Sequence, residues 1–304
     1  MRVIVTGADG FLGSHIVDAL VASTTHDVVA VSDYRSDGTT GWAKAGPRVT
    51  VERLDIQDAL SVKRLEPECI INAAALVSVP DSNDRPFSHW MANANSVAFM
   101  RYLMPKVRFI QISTSEVFDG TCPPYKDTSR TAPSTPYGAS KAAAEAVVQG
   151  SGGTVCRVFN MFGPRQYPRA VIPKMVREAI SVSNGRESAS LYGPRGSRAF
   201  LYAPEVSRII ARQLITEERR LVQIASCVPI DIGDLWKLIA KEVRIDPARV
   251  NWQPLPANVS NVAELFGYSS EGYPTYLNFP MRGLQETIAW MRENPNYCSE
   301  ADYQ

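Results

Sequence analysis

The chain is poor in histidine and cysteine, has no long apolar run and carries almost no net charge. Three histidines and five scattered cysteines, Cys69, Cys122, Cys156, Cys227 and Cys298, offer no pair at metal-knuckle spacing. No metal site is therefore expected, and the thiols read as reduced and mostly buried. No apolar stretch approaches the roughly 20 residues of a membrane span, and Met1 to Gly7 reads as a buried strand, not a cleavable leader. The expectation is a cytoplasmic protein with no membrane partner. The 32 basic and 31 acidic side chains cancel to a formal +1. Such a chain has no global field to draw in nucleic acid, so an anionic ligand must be held locally.

What remains is ordinary globular composition: 304 residues, 45% apolar and 21% charged, enough for one large or two interlocked domains. Short apolar runs rich in β-branched residues occur at Met1–Gly7, Asp27–Val31, Val49–Leu54, Cys69–Asn72, Arg108–Ser113 and Thr154–Phe159. Stretches with helical spacing, such as Phe11–Val21, lie between most of them. Buried strands alternating with helices predict an α/β fold, a Rossmann-type doubly wound parallel sheet. Beyond Asn160 the texture changes. Prolines and glycines punctuate Gly163–Pro173 and Tyr192–Gly196, and helices predicted at Ile232–Val243 and Arg282–Met291 mix with irregular segments. This suits a smaller, mixed C-terminal substrate domain. The expected division is 1–162 for the sheet domain, with 198–226 returning to it, and 163–197 plus 227–304 for the substrate domain. The last eleven residues, from Asn294, read as a frayed tail.

The segment Thr6 to Gly13, TGADGFLG, puts three glycines between the first strand and the first helix. Gly7 and Gly10 permit positive φ and close backbone approach to a pyrophosphate, and Gly13 lets helix and strand pack. Phe11 and Leu12 at the helix N-terminus supply amide donors. The same glycines could serve an ordinary turn. Asp33 ends the second strand 20 residues after Gly13, where a carboxylate can accept from adenosine ribose hydroxyls, so a dinucleotide, NAD, is expected. Asp55 and Ile56 after the third strand would reach the adenine. Ala73 and Ala75 after the fourth would leave room for the cofactor, or merely pack.

Tyr137 and Lys141 stand at i and i+4, on one helix face. A neighbouring ammonium is expected to stabilise the phenolate and make Tyr137 a general base at neutral pH. Thr114, at the end of the preceding strand, would complete a proton-sharing triad.

With these motifs the chain resembles the extended short-chain dehydrogenase/reductase superfamily, in its nucleotide-sugar branch. The resemblance rests on TGADGFLGSH, Asp55, NAAA, STSEVF, YGASK, RVFNMFGPRQ and GSRAFLY, in that order along nearly the whole chain. It implies a catalytic triad of Thr114, Tyr137 and Lys141, with Lys141 also touching NAD. It also implies contacts to a nucleotide-diphosphate sugar through Asn93, Asn160, Arg169, Val171, Lys174 and Arg198, with Asn93 at the position that supports a water chain. Glu116 after Thr114 and Ser115 resembles the 4,6-dehydratases and the uronate decarboxylases more than the simple 4-epimerases. NMFGPRQYPRAVIPKM, AAALVSVP and Gly41-Trp42 look most like 4,6-dehydratases acting on UDP-N-acetylglucosamine-type substrates.

The resemblance thus implies an NAD-dependent nucleotide-sugar 4,6-dehydratase, in which Glu116 takes the carbon 5 proton and, with Ser115 as a possible relay, helps the 6-hydroxyl leave. The alternatives are a UDP-glucuronate decarboxylase, a nucleotide-sugar 4-epimerase and a non-catalytic NAD-binding protein. Three departures stand out. Ala199 replaces the usual aspartate, Pro204-Glu205 replaces an acidic pair, and no second phosphate-binding arginine precedes Val259–Tyr268. The connections from Met91 to Phe109 and from Lys141 to Arg157 are also short. They hold the helices that pair subunits in the family, so a homodimer with a reduced interface is expected.

Overall fold

The computed structural model describes residues 1–33, 42–193, 196–215, 219–254, 264–274, 276 and 278–298. Arg35 and Gly41 lie outside them. Seven strands build the main sheet: β1 (Arg2–Thr6), β2 (Asp27–Ser32), β3 (Val49–Arg53), β4 (Cys69–Asn72), β5 (Arg108–Thr114), β6 (Thr154–Val158) and β7 (Leu221–Ile224). Their order is β7-β6-β5-β4-β1-β2-β3, and every pairing is parallel. The predicted runs fall on these strands.

Alternation along each strand explains why both faces are covered. Val3 and Val5 point into one apolar cluster with Ile16, Leu20, Ile71 and Ile110. Ile4 points into the other with Ile70, Val97, Met100, Phe109 and Val148. A strand buried on both sides must be apolar at every position. Helix α1 (Phe11–Ser23) covers the first face. The second is covered by α2 (Ser96–Leu103) and α3 (Pro136–Gly150).

A separate core assembles the C-terminal part. Helices α4 (Val171–Ser183), α5 (Ile232–Val243) and α6 (Met281–Glu293) enclose Ile172, Met175, Val176, Trp236, Ile239, Leu284 and Ile288. Short strands flank them. Met161–Phe162 runs parallel to Leu201–Tyr202, and Ala189–Tyr192 runs parallel to Val250–Gln253. Ser197–Arg198 lies between antiparallel Ile230–Asp231 and parallel Glu264–Leu265. The mixed character expected of this half is present.

Two expectations need correction. The tail does not fray at Asn294, because Pro295–Cys298 forms a helical turn. Tyr297 there donates to the Arg165 carbonyl at 2.8 Å, and its ring meets Trp290 and Trp42 edge-on at 5.0 and 5.5 Å. The thiols are also less buried than expected: Cys69 and Cys156 are buried, Cys227 is half-buried and Cys122 is exposed.

Candidate active site

The strand order reverses between β1 and β4, which opens a crevice at their C-terminal ends. The glycine turn sits at its mouth. Gly7 has φ +62°, and a Cβ there would lie 2.8 Å from the Ala74 backbone, so only glycine permits this approach to the end of β4. A Cβ on Gly13 would meet the Gly7 carbonyl oxygen at 2.0 Å, which is the helix-to-strand contact expected of it. Gly10 caps α1 without any side-chain hydrogen bond, and the first turn holds no acidic residue. Phe11 and Leu12 therefore open a helix whose amide dipoles face the crevice uncapped, a donor set that fits a pyrophosphate. Asp33 follows β2 at the same end of the sheet. Asp55 accepts from the Gln57 amide at 2.9 Å and Ile56 is buried, while Ala73 and Ala75 are half-buried beyond β4.

Thr114 ends β5 and its hydroxyl accepts from the Glu116 amide at 3.2 Å, starting the turn Ser115–Val117. Thr135 caps α3 by accepting from Gly138 N at 3.0 Å, with Pro136 in its first turn. Tyr137 and Lys141 follow on the buried side of that helix. Burial pushes the Tyr137 phenol well above its ordinary value; a hydrogen bond with Thr114 works against this and the Glu116 charge adds to it. Lys141 donates to the Ile112 carbonyl at 2.6 Å, and burial lowers its pKa to about 8 against the opposing pull of Glu145.

Glu116 is half-buried. Burial raises its carboxyl above the ordinary value and the Arg198 charge opposes that rise. Arg198 is therefore near enough for its charge to act on Glu116, and its guanidinium donates to the Ser197 carbonyl at 2.9 Å. Ser115 is buried beside them.

Of the expected substrate residues, Asn160 follows β6 and keeps a buried amide nitrogen with no partner among the described residues. Arg169 and Val171 are exposed at the start of α4, and Lys174 lies 4.1 Å from the Tyr192 ring centroid. Asn93 is different. It lies in a π turn, Met91–Asn95, that joins the helix Pro86–Trp90 to α2. Its amide grips both backbone groups of Leu76, each at 2.9 Å, and the Ser140 hydroxyl at 3.0 Å. Asn93 thus clamps the segment after β4 to the helix of Tyr137.

Sequence reasoning missed the polar chain beneath the site. The Thr6 hydroxyl meets Asn72 Oδ1 at 2.5 Å, Asn72 donates to Gln111 Oε1 at 2.8 Å, and Gln111 donates to the Ile112 carbonyl at 2.8 Å. That carbonyl also holds Lys141. The chain thereby links the glycine turn to the lysine across three adjacent strands, and a polar residue inside an otherwise apolar strand was the available signal. Arg157 and Glu145 form a buried ion pair at 2.7 Å, with the Ser113 hydroxyl donating to the same carboxylate at 2.6 Å.

Comparison with known proteins gives the following. Residues 3–225 match the NAD dependent epimerase/dehydratase family. The dTDP-D-glucose 4,6-dehydratase of Mus musculus is 26% identical over 322 residues, covering 96% of this chain and 89% of the mouse protein. Among solved structures, DesIV, a dTDP-glucose 4,6-dehydratase from Streptomyces venezuelae with NAD bound, superposes with a TM-score of 0.85 at 24% identity over 98% of each chain. A UDP-N-acetylglucosamine 4-epimerase from Methanobrevibacter ruminantium gives 0.84 at 25% identity, over 96% of this chain and 98% of its own.

Proposed function

The chain belongs to the NAD dependent epimerase/dehydratase family, and from that premise we propose that it is an NAD-dependent 4,6-dehydratase of a nucleotide-diphosphate sugar. NAD, when bound, supplies the acceptor for hydride from carbon 4 and its return to carbon 6. Gly7, Gly10, Phe11, Leu12, Gly13 and Asp33 would hold its pyrophosphate and adenosine, Asp55, Ile56, Ala73 and Ala75 would border it, and Lys141 would reach its nicotinamide ribose. Asn160, Arg169, Val171, Lys174 and Arg198 would take the nucleotide diphosphate, Asn160 through its unpartnered amide nitrogen.

The residues then divide the proton work. Tyr137 takes the proton of the 4-hydroxyl, with Thr114 sharing its hydrogen bond. The resulting 4-ketone acidifies the proton on carbon 5, which Glu116 removes, and the 6-hydroxyl leaves as water with acid from Glu116 relayed by Ser115. The observation that carries this reading is Glu116 itself. A half-buried carboxylate with a raised pKa stands two residues beyond Thr114, and its charge acts on the Tyr137 phenol, which suits a base that must also return a proton.

One observation favours a second reading. Arg198, whose charge acts on Glu116, is the cation that a uronate decarboxylase needs for the substrate carboxylate. Incubation with dTDP-glucose, UDP-glucose, UDP-N-acetylglucosamine and UDP-glucuronate separates the two. The dehydratase reading expects loss of water from a hexose, the alternative loss of carbon dioxide from the uronate, and an epimerase no change in mass.

A homodimer belongs to the same proposal. Phe87, Trp90, Phe99 and Tyr102 are exposed along the helices from Pro86 to Leu103, an apolar stripe that suits a second copy. The described residues contain no helix long and apolar enough to cross a membrane, and a cytoplasmic enzyme with access to NAD and nucleotide sugars fits the reading. We assign 1–162 with 198–226 to the cofactor and 163–197 with 227–304 to the sugar nucleotide.

A further inference from the structure

His89 belongs to none of the motifs that led to the site, yet it stands against Tyr137. Its side chain is fully buried in the helix Pro86–Trp90. The two rings meet edge-on, with centroids 6.2 Å apart and planes at 82°. Its Nε2 lies 2.9 Å from Asp81 Oδ2. Asp81 Oδ1 takes the Nε of Arg85 at 2.8 Å and a terminal nitrogen at 2.6 Å. The Ser78 hydroxyl in turn accepts from the Asp81 amide at 3.2 Å, fixing the start of the helix Val79–Asp84. Arg85, Asp81, His89 and Tyr137 are thus in line, from a surface cation to the buried phenol.

Asp81 can only accept, so Nε2 carries a hydrogen towards it and Nδ1 is the nitrogen at the opposite side of the ring. Nδ1 is buried without a partner among the described residues. An unsatisfied buried nitrogen costs stability, and a hydrocarbon ring would fill the same volume without that cost. What the imidazole has and a phenyl ring lacks is the tether. A ring held at its far edge by a carboxylate cannot swing, and an edge-on aromatic pair is sensitive to orientation.

We propose that His89, held by Asp81, is a positioning residue for Tyr137: it packs against the phenol ring and keeps the whole side chain in one rotamer, so that its oxygen stays within reach of Thr114 and the sugar hydroxyl together. The proposal rests on Tyr137 as the base. Misplacing a proton acceptor by about 1 Å costs up to about 10²-fold in rate, so the tether acts on turnover and not on affinity.

The test uses the full chain loaded with NAD and whichever of dTDP-glucose, UDP-glucose and UDP-N-acetylglucosamine the wild type turns over fastest. His89→Ala should lower kcat about tenfold or more while KM stays within about twofold. His89→Phe, which fills the volume and restores an edge but has no tether, should recover only part of the loss, leaving kcat near that of the Asp81 variant. Asp81→Leu, at a side chain that is 28% exposed, leaves the His89 ring in place and should lower kcat by a smaller factor. Independently of any sugar, 3-fluorotyrosine at position 137 should give one sharp fluorine resonance in the wild-type holoenzyme and a second or averaged one in either tether variant. Unchanged kcat in His89→Ala and Asp81→Leu, an effect confined to KM, or an unchanged fluorine line would overturn the proposal. Failure of the Tyr137 assignment itself would appear differently, as an active Tyr137→Phe enzyme.

Discussion

A Cβ on Gly138 would lie 2.2 Å from the carbonyl oxygen of Glu116. The helix that carries Tyr137 and the turn that carries Glu116 therefore touch through backbone, with no side chain between them. The spacing of the two backbone segments that carry phenol and carboxylate is set by that missing carbon. Thr114 fixes the other side of the turn by accepting from the Glu116 amide, so neither element can adjust alone.

Gly138→Ala should accordingly harm chemistry more than cofactor binding. The added methyl meets backbone, so helix and turn must part, at about 1–3 kcal/mol for an overpacked contact. Denaturant unfolding would read that loss. Calorimetry should find NAD affinity nearly unchanged, because the glycine turn lies elsewhere, while kcat falls. Wild-type kcat in the alanine variant would mean that the spacing is not critical.

Tyr137→Phe should keep the fold and NAD affinity but lower turnover by roughly 10²–10⁴-fold, the usual contribution of a positioned base. Burial pushes the phenol above its ordinary value, and a positively charged nicotinamide ring beside it would work against that rise. The alkaline absorbance titration of Tyr137 should therefore move to lower pH when NAD+ is added. A titration indifferent to NAD+ would remove the phenolate from the mechanism.

The main sheet was legible because a strand buried on both faces must be apolar throughout, and Val3, Ile4 and Val5 satisfy that without reference to anything distant. The glycine turn and the Tyr137–Lys141 pair were legible for a similar reason, since each is a local spacing. Contacts between remote segments left no such trace. His89 and Asp81 meet across two short helices, the Arg198 charge acts on Glu116 from a strand far along the chain, and Tyr297 packs on Trp42 from the far end of the chain. Asn93 was picked out by position, but its use as a clamp on Leu76 depends on a π turn that no residue pattern announces.

Asp33 at the end of β2 predicts a preference for NAD+ over NADP+, because a carboxylate accepts from ribose hydroxyls and repels a 2′-phosphate. Arg35 could reverse this by binding the phosphate, and it lies outside the described residues. Calorimetry with both cofactors should find NAD+ tighter, and Asp33→Ala should narrow the gap. Tighter binding of NADP+ would assign the pocket to Arg35.

The exposed stripe predicts a dimer. Phe87 and Tyr102 are 72% and 78% exposed on successive helices, and burying them against a second copy removes apolar area from water. Light scattering should give twice the chain mass, with dissociation on dilution if the interface is as small as the short connections suggest. Phe87→Glu combined with Tyr102→Glu should give a monomer. A dimer that survives both changes must use another surface.

The last prediction separates dehydration from epimerisation through Glu116. As the carbon 5 base it must start ionised, and burial raises its pKa while Arg198 lowers it. Turnover should fall on the acid side as pH drops through that raised value. Arg198→Met takes away the lowering influence, so this limb should move to higher pH; a shift to lower pH would contradict the pairing. Glu116→Gln keeps size and hydrogen bonding but cannot accept the proton, so it should still oxidise carbon 4 while failing to release water. In heavy water the wild-type product should carry deuterium at carbon 5, because the proton returned there has exchanged with solvent. A 4-epimerase never opens that bond and would leave carbon 5 unlabelled. Full activity in Glu116→Gln, or product without deuterium at carbon 5, would exclude the dehydratase and leave epimerisation at carbon 4 as the chemistry that Thr114, Tyr137 and Lys141 can perform without a second base.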